Sequence, residues 1–147
     1  MQQIKFISTL LITFLLFACS SSKQTEVKKI DYQYTANNVK YLDLKVGKGD
    51  SPQIGNRVTI NAKVMTEDGT VLEDTFSSGK PLSFVLYNVD DEKLEVIPGL
   101  AEGVMTMKIG GIRKLWIPPK MGFGSRSQRK IDANSTIVIE VELLDIK

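Results

Sequence analysis

The sequence contains no histidine and one cysteine, Cys19, which lies near the N-terminus. A single cysteine excludes a disulfide within the chain, and the absence of histidine argues against a zinc site. No imidazole is available as a general base, and no thiol lies away from the N-terminus to act as a nucleophile. We therefore expect no metal and no other cofactor. Any activity must come from a shaped apolar pocket and from backbone hydrogen bonds.

Neither sign of charge dominates the sequence, whose formal net charge is +2. Removing Lys5 with the N-terminal segment lowers this charge from +2 to +1, and the remaining lysines are scattered. Nucleic-acid binding requires a clustered basic face, so no nucleic-acid partner is expected. The one local excess, at Arg126, Arg129 and Lys130, lies in a predicted loop, where it is either solvated or in contact with an anion. The composition is ordinary for a globular protein, and we expect a monomer.

The first 18 residues resemble a bacterial export signal. Lys5 supplies a positive charge, and the apolar run from Phe6 to Ala18 is too short to span a bilayer comfortably. The segment Leu16-Phe17-Ala18-Cys19 then resembles the lipobox of bacterial lipoprotein precursors. In such precursors the cysteine thiol receives a diacylglyceryl group, and the cysteine becomes the N-terminus after cleavage. The alternative is a chance cysteine behind an ordinary signal peptide.

The residues that follow Cys19 predict a tether between a lipid anchor and a domain. Three serines come directly after the cysteine, and the chain stays polar to about Asn38, as expected of a flexible spacer. Two or more acyl chains on Cys19 would hold the protein stably at a membrane. By analogy with enteric bacteria, Ser20 rather than Asp favours the outer membrane, facing the periplasm. The predicted organisation is therefore a signal peptide over 1–18, a lipidated tether over 19–38 and a domain over 39–147.

The domain from 39 to 147 is rich in strand patterns. Alternation of apolar and polar residues predicts strands at Tyr41–Val46, Val58–Met65, Leu82–Leu86, Ile112–Ile117 and Ile137–Leu143. Asp68-Gly69 predicts a hairpin turn, from which Val71 and Leu72 return. The pattern leaves open which face of the 112–117 strand is buried, and therefore whether Trp116 lies in the core or on the sheet surface.

Only one helix is predicted. Pro98 suits a first helical position, Leu100, Val104 and Met107 follow at helical spacing, and Gly110 supplies a stop. A single short helix must bury its apolar side against the sheet. The sequence thus predicts an α+β fold in which five or six antiparallel strands form a half-barrel around one short helix.

Several short motifs, in their order along the domain, resemble the FKBP-type peptidyl-prolyl isomerases, also called immunophilins. They are Gly55–Ile60, Glu67–Leu72, Glu95–Leu100, Met107–Gly110, Ile117–Pro119, Gly122–Gly124, Ser135–Ile137 and Glu142–Leu144. Each motif is weak alone, but together they cover roughly the whole domain. The resemblance implies an FKBP-like half-barrel that isomerises X-Pro bonds, with proline-containing segments of exported or envelope proteins as its substrates.

The resemblance also implies a set of site residues. Ile97 would hold the carbonyl next to the substrate proline through its backbone N–H, and Phe123 and Glu73 would be the other catalytic positions. Leu100 would form the floor of the pocket. The remaining substrate-binding positions would be Leu72, Leu82, Phe84, Val96, Ile131 and Ile139. The carboxylate that the family has at the pocket edge corresponds to Glu73 or to Asp74, or else both are solvated.

The lining departs from the family at several of these positions. Leu72, Leu82, Leu100 and Ile139 stand where the family often has an aromatic residue, and Ala62 and Phe123 stand where it commonly has Tyr. A wider pocket with fewer hydrogen-bond donors is therefore expected. The segment from Tyr87 to Leu94 is longer than usual in the family, and its acidic residues Asp90, Asp91 and Glu92 predict an acidic rim.

Three functions stay open at this point. The first is a peptidyl-prolyl isomerase of full or reduced activity, acting on exported or envelope proteins. The second is a non-catalytic peptide-binding or chaperone module of the cell envelope. The third is a structural lipoprotein with an inactive pocket, because any single apolar position could serve core packing alone.

Overall fold

An antiparallel sheet forms the frame of the structure. The computed structural model describes residues 30–128 and 130–147. Its strands and helices are β1 (Gln33–Tyr34), β2 (Lys40–Lys45), β3 (Arg57–Thr66), β4 (Val71–Asp74), α1 (Thr75–Ser78), β5 (Leu82–Val85), α2 (Pro98–Met105), β6 (Ile112–Ile117), a 3₁₀ turn (Pro119–Met121) and β7 (Ile137–Ile146). The strand order is β1-β2-β6-β7-β3-β4, and β5 lies beside β4 on the outer edge of β3.

The predicted α+β half-barrel around one short helix is confirmed. Two features of the described residues differ from the prediction. The sheet has seven strands rather than five or six, because β1 adds a strand of two residues beside β2. A second helix, α1, is only four residues long and follows β4 directly. Both elements are too short to carry a periodic pattern, which explains why the sequence did not predict them.

Strand β1 lies within the segment that was predicted to be a tether. It is fixed by contacts on the outer face of the sheet, where the rings of Tyr32 and Trp116 meet edge to face with centroids 5.4 Å apart. The ammonium of Lys40 lies 4.5 Å from the Trp116 ring centroid and 4.7 Å from that of Tyr32, a cation–π geometry. Trp116 is therefore half-buried on the sheet surface rather than in the core.

Several predictions fall on residues that the structure does not describe. Residues 1–29, which hold the predicted signal peptide, Cys19 and most of the tether, lie outside the described residues, and so does Arg129. Among the residues that are described, no helix combines the length and the apolar character that crossing a membrane would require.

Helix α2 packs very closely against β6 because two glycines face that strand. An added Cβ at Gly99 would lie 2.4 Å from Cγ2 of Ile117, and one at Gly103 would lie 2.6 Å from both δ-carbons of Leu115. Real side chains essentially never approach so closely. The glycine spacing of four residues thus places one face of the helix directly on the sheet.

Helix α2 ends at Met105, so the prediction that Gly110 stops the helix was wrong. Arg113 of β6, which is only 4% exposed, reaches the end of the helix instead. Its Nη1 donates to Thr106 Oγ1 at 2.6 Å and to the Gly103 carbonyl at 2.9 Å, and the second bond satisfies a carbonyl that a helix terminus leaves unpaired. Gly110, at φ +76°, instead lies in the turn that leads into β6.

Arg113 also joins this helix end to the edge of the sheet. Its guanidinium forms a bidentate ion pair with Asp43 of β2, with Nε–Oδ1 and Nη2–Oδ2 distances of 2.7 and 3.0 Å. It also lies 4.0 Å from the ring centroid of Tyr41. A buried guanidinium needs such partners to offset the cost of leaving water. The apolar core fills the remaining space between α2 and the concave face of the sheet.

Candidate active site

An apolar cavity of about 270 Å³ opens on the concave side of the sheet, beside the N-terminal end of α2. Strands β3, β4, β5 and β7, the first turn of α2 and the loops before α2 and β7 all contribute to it. The lining residues are Val64, Leu72, Glu73, Leu82, Glu95, Val96, Ile97, Leu100, Phe123, Gln128, Ile131, Ile137 and Ile139. Most of these side chains are aliphatic, as expected of a site that binds an apolar group.

Cross-strand pairing places three of the lining side chains in one row. Val64 of β3 lies opposite Glu73 of β4 on one side and opposite Ile139 of β7 on the other. Residues directly opposite each other in antiparallel strands point to the same face of the sheet. Thr66 and Ile137 form the next row on this face, and Ile137 also lines the cavity. The sheet therefore supplies a continuous wall.

A bulge in β4 lets two consecutive residues line the cavity. Met65 pairs with Val71 and Val64 pairs with Glu73, which leaves Leu72 as the extra residue of β4. In a regular strand Leu72 and Glu73 would point to opposite faces, whereas a bulge redirects one of them. Both side chains consequently contribute to the cavity.

Asp74, the alternative candidate for the carboxylate at the cavity edge, caps helix α1 instead. It is the N-cap of α1, where its carboxylate accepts hydrogen bonds from Phe76 N at 3.0 Å and Ser77 N at 3.2 Å. The Ser77 hydroxyl donates to it at 2.8 Å, and this bond is the main reason why the pKa of Asp74 lies below its ordinary value. Of the two neighbouring carboxylates, Glu73 alone lines the cavity.

The residue before α2 presents a backbone donor. Ile97 is the N-cap of the helix, in an extended conformation, and its carbonyl accepts hydrogen bonds from Leu100 N at 3.0 Å and Ala101 N at 3.3 Å. Its own N–H donates to no acceptor among the described residues. Leu100, one turn into the helix and 5% exposed, forms the floor beside it. The cavity thus joins an apolar floor to a backbone donor that no described residue uses.

Phe123 lies on a tight turn that is held at both ends. The carbonyl of Pro119 accepts hydrogen bonds from Gly122 N at 3.0 Å and Gly124 N at 2.9 Å, and Asn134 N donates to Gly124 O at 2.8 Å. Gly124 has φ +61°, a conformation that favours glycine. The half-buried ring of Phe123 forms one wall and is the only aromatic side chain among the described residues of the lining.

Comparison with known proteins agrees with this geometry. A family model for FKBP-type peptidyl-prolyl cis-trans isomerases matches residues 48–144, about two thirds of the chain. The chain belongs to this family. The match contains β3 to β6, β7 as far as Leu144, the whole of α2 and all the described residues that line the cavity.

Individual relatives of this FKBP-type chain support the assignment. It is 39% identical over 107 residues to the FKBP-type peptidyl-prolyl cis-trans isomerase FkpA of Escherichia coli, which covers 73% of this chain and 37% of that protein. The crystal structure of FkpA from Escherichia coli superposes with a TM-score of 0.71 at 36% identity, covering 82% of this chain and 53% of that one. A peptidyl-prolyl cis-trans isomerase from Pseudomonas syringae gives 0.69 at 25% identity, covering 82% and 84%. The chain thus spans little more than a third of the length of its curated Escherichia coli relative.

The structure brings nearly all of the predicted site residues of this FKBP-type chain to one cavity. Ile97, Phe123 and Glu73 line it, together with Leu72, Leu82, Val96, Leu100, Ile131 and Ile139. Phe84 does not, because it is 1% exposed in the core, opposite Val58 in the β3–β5 ladder. Their roles in binding or catalysis stay predictions.

Four lining residues were missed by the sequence analysis, namely Val64, Glu95, Gln128 and Ile137. The pairing register explains why Val64 and Ile137 line the cavity, since both lie in the cross-strand rows that form its wall. Alternation along a strand identifies a face of the sheet, but it does not tell which part of that face lies beneath the helix. Gln128 and Glu95 lie in loops, whose path has no periodic pattern.

The carboxylates in the lining are Glu73 and Glu95. The acidic residues Asp90, Asp91 and Glu92, which were expected to form an acidic rim, are not among the lining residues. Within residues 30–128 and 130–147, no group of three or more acidic, cysteine or histidine side chains is arranged to hold a metal ion. The described chemistry of the cavity is therefore apolar contact, the Ile97 N–H, the side-chain amide of Gln128 and the carboxylates of Glu73 and Glu95.

Proposed function

We propose that this chain catalyses the cis–trans isomerisation of X-Pro bonds. The observation that carries the proposal is the N–H of Ile97, which has no partner among the described residues and lies at an apolar cavity floored by Leu100. A proline ring has no N–H to satisfy and suits an apolar floor. The carbonyl beside it needs one donor, which Ile97 supplies.

The physical basis of the reaction is loss of amide resonance. Rotation about an X-Pro bond meets a barrier of about 18–20 kcal/mol because the planar amide is stabilised by resonance, and uncatalysed isomerisation is slow enough to limit folding. The twisted amide is less dipolar than the planar one, so it loses less when it leaves water for an apolar cavity. A cavity that excludes water therefore favours the transition state over the ground state. No covalent step is required, which suits a chain without histidine.

The proposal is tested with proline-containing peptides and the full chain, purified in detergent. NMR exchange or a protease-coupled assay should show faster isomerisation at micromolar protein. Phe123→Ala, which removes the aromatic wall, should lower kcat/KM, whereas Tyr34→Ala, on the 63% exposed Tyr34 of β1, should leave it unchanged. No acceleration by the unaltered chain would contradict the proposal.

A second candidate function is a non-catalytic module that holds proline-containing or apolar segments. The observation in its favour is the aliphatic lining, in which Phe123 is the one aromatic residue that the described part of the chain contributes. This function predicts peptide binding and suppressed aggregation of unfolded proteins without faster isomerisation. The same peptides separate the two functions, because binding is measured by fluorescence anisotropy and turnover by exchange.

We also propose that the protein is a monomeric lipoprotein of the bacterial cell envelope, on the outer membrane and facing the periplasm. The lipobox at Leu16–Cys19 and the polar residues after it support this location. Its substrates would then be exported or envelope proteins that contain X-Pro bonds. Expression in a bacterium with a radiolabelled fatty acid should label the protein and place it in the membrane fraction. Cys19→Ser should abolish the label, and a soluble, unlabelled unaltered chain would contradict the proposal.

A further inference from the structure

A second, polar cleft of about 500 Å³ lies next to the apolar cavity. One side of it is the tip of the hairpin between β3 and β4, which contributes Thr66, Glu67, Asp68 and Thr70. The other side is the loop that leads into β7 and includes Lys130 and Asp132. None of these side chains lines the apolar cavity, so the cleft is a separate surface with a different chemistry.

The two spaces share a wall. Leu72 lines both of them, and the loop residue Ile131 points into the apolar cavity while its neighbours Lys130 and Asp132 line the cleft. The concave face of the sheet also runs from one space to the other, because Val64 lines the cavity and Thr66, two residues further along β3, lines the cleft. A chain that leaves the cavity over Leu72 enters the cleft directly.

The described charges of the cleft are mainly negative. It contains the three carboxylates of Glu67, Asp68 and Asp132 and one ammonium, that of Lys130. Asp68 accepts hydrogen bonds from the Thr66 hydroxyl and from Thr70 N at 3.1 Å, which hold the pKa of this carboxyl below its ordinary value. The carboxylates of Glu67 and Asp132 form no hydrogen bond or ion pair with any other described residue. They are exposed and available to a ligand.

We propose that this cleft holds the polypeptide residues on one side of the bound proline and favours a lysine or arginine there. The proposal rests on the isomerase or binding function proposed above, because it needs a proline in the apolar cavity. Glu67 and Asp132 would determine this preference by attracting the basic side chain, and Lys130 would oppose it. Asp68 already accepts hydrogen bonds from Thr66 and Thr70, so we assign it a structural role in the hairpin.

Two sets of peptides test the assignment. One set carries lysine, alanine or glutamate three residues after the proline, and the other carries the same three residues three positions before it. The full chain in detergent should turn over the lysine peptide about five times faster than the glutamate peptide, measured as kcat/KM, in one of the two sets and not in the other. The ratio should approach one at 1 M salt, where the Debye length is about 3 Å. Equal ratios in both sets, or ratios of one throughout, would overturn the proposal.

Matched variants identify the residues. The double variant Glu67→Gln and Asp132→Asn should bring the lysine-to-glutamate ratio close to one, and Lys130→Gln should raise it by about twofold. Asp145→Asn is the control, since Asp145 pairs with Lys147 at the far end of β7 and should leave the ratio unchanged. A ratio that survives the double variant would overturn the assignment of these two residues.

Failure of the proposed catalytic function can be told apart from failure of this inference. If the alanine peptides are not turned over, the isomerase proposal fails, and the same six peptides are then labelled with fluorescein for binding by anisotropy. A Kd contrast of about fivefold in one set, removed by the double variant, would still support the cleft. The absence of any Kd contrast would overturn it.

Discussion

Leu100 N donates to the carbonyl oxygen of Ile97 at 3.0 Å, while Ile97 N has no acceptor among the described residues. The helix thus holds the Ile97 carbonyl, while the N–H of the same residue, which belongs to the preceding peptide group, is left as a donor at the cavity. Pro98, at the first helical position, lacks an N–H and suits that place without loss. The sequence Ile97-Pro98-Gly99-Leu100 therefore supplies the donor, the start of the helix, the close approach to β6 and the floor.

The Ile97 donor can be removed by a substitution that suits the φ angle of residue 97. Ile97 has φ −61°, which a proline adopts readily, so Ile97→Pro deletes the N–H at little conformational cost. We expect kcat/KM for an X-Pro peptide to fall about tenfold in an NMR exchange assay, as for one lost hydrogen bond. Ile97→Val keeps the N–H and a similar apolar volume, and it should retain most of the activity. An equal loss in both variants would assign the effect to the side chain.

An aromatic floor should improve the cavity. Leu100→Trp enlarges the apolar floor that a bound proline would contact, and contacts that strengthen as the amide twists raise kcat/KM. We expect kcat/KM to rise roughly fivefold in the protease-coupled assay, a change equivalent to about 1 kcal/mol. Val46→Trp adds the same ring at a 73% exposed position of the chain and should change nothing. If Leu100→Trp tightens peptide binding without faster turnover, the non-catalytic function is favoured.

The fold was largely predictable from the sequence because its long strands alternate clearly. Strands β3 and β7 are each ten residues long, and in both strands one face is apolar along most of the length. The end of α2 was not predictable in the same way. The helix end is held by Arg113 of β6, and such a contact between two elements leaves no local sequence pattern. Gly110, with its positive φ, is in addition a typical helix-terminating residue and therefore predicted a later end.

The cavity was predictable mainly through the family resemblance. Alternation alone marks Ile139 as an inward residue, but the same pattern fits Leu143, which is fully buried in the core and is not among the described residues that line the apolar cavity. Leu72 is harder still, because its orientation depends on the β4 bulge. The polar cleft could not be predicted, since it is formed by a hairpin tip and a distant loop that meet only in the folded chain.

The contact between α2 and β6 should tolerate little added volume. Gly103→Ala places a methyl group 2.6 Å from the δ-carbons of Leu115, which is fully buried. Overpacking of this kind costs about 1–3 kcal/mol, and the higher helix propensity of alanine offsets only part of it. We expect the free energy of unfolding, measured in urea, to fall accordingly. Gly103→Ala without any loss of stability would contradict the close packing.

A second substitution tests whether Leu115 is the cause. Leu115→Ala alone should destabilise the protein by about 2–5 kcal/mol, because it leaves a cavity in the core. In the double variant the new methyl group of residue 103 enters that space. The double loss should therefore be smaller than the sum of the two single losses by about 1 kcal/mol or more. Simple additivity would show that the two residues do not contact each other as described.

The N-cap of α1 should make stability depend on pH below neutrality. The hydrogen bond from the Ser77 hydroxyl, followed by the Ser77 N–H and Lys63, holds the pKa of Asp74 below its ordinary value of 3.8. A depressed carboxyl pKa contributes stability that is fully present above 3.8 and is lost as the pH falls through the lower folded value.

This pH dependence is measured by urea unfolding of the full chain between about pH 6 and pH 3. The unaltered chain should lose more stability over this range than Asp74→Asn, because asparagine can still cap the helix but does not titrate. The other acidic groups, including Asp68, are present in both proteins and therefore cancel in the comparison. Asp50→Asn, in an exposed turn, is the control and should follow the unaltered chain. Parallel pH profiles for the chain and Asp74→Asn would show that the Asp74 carboxylate gains nothing from its contacts in the folded state.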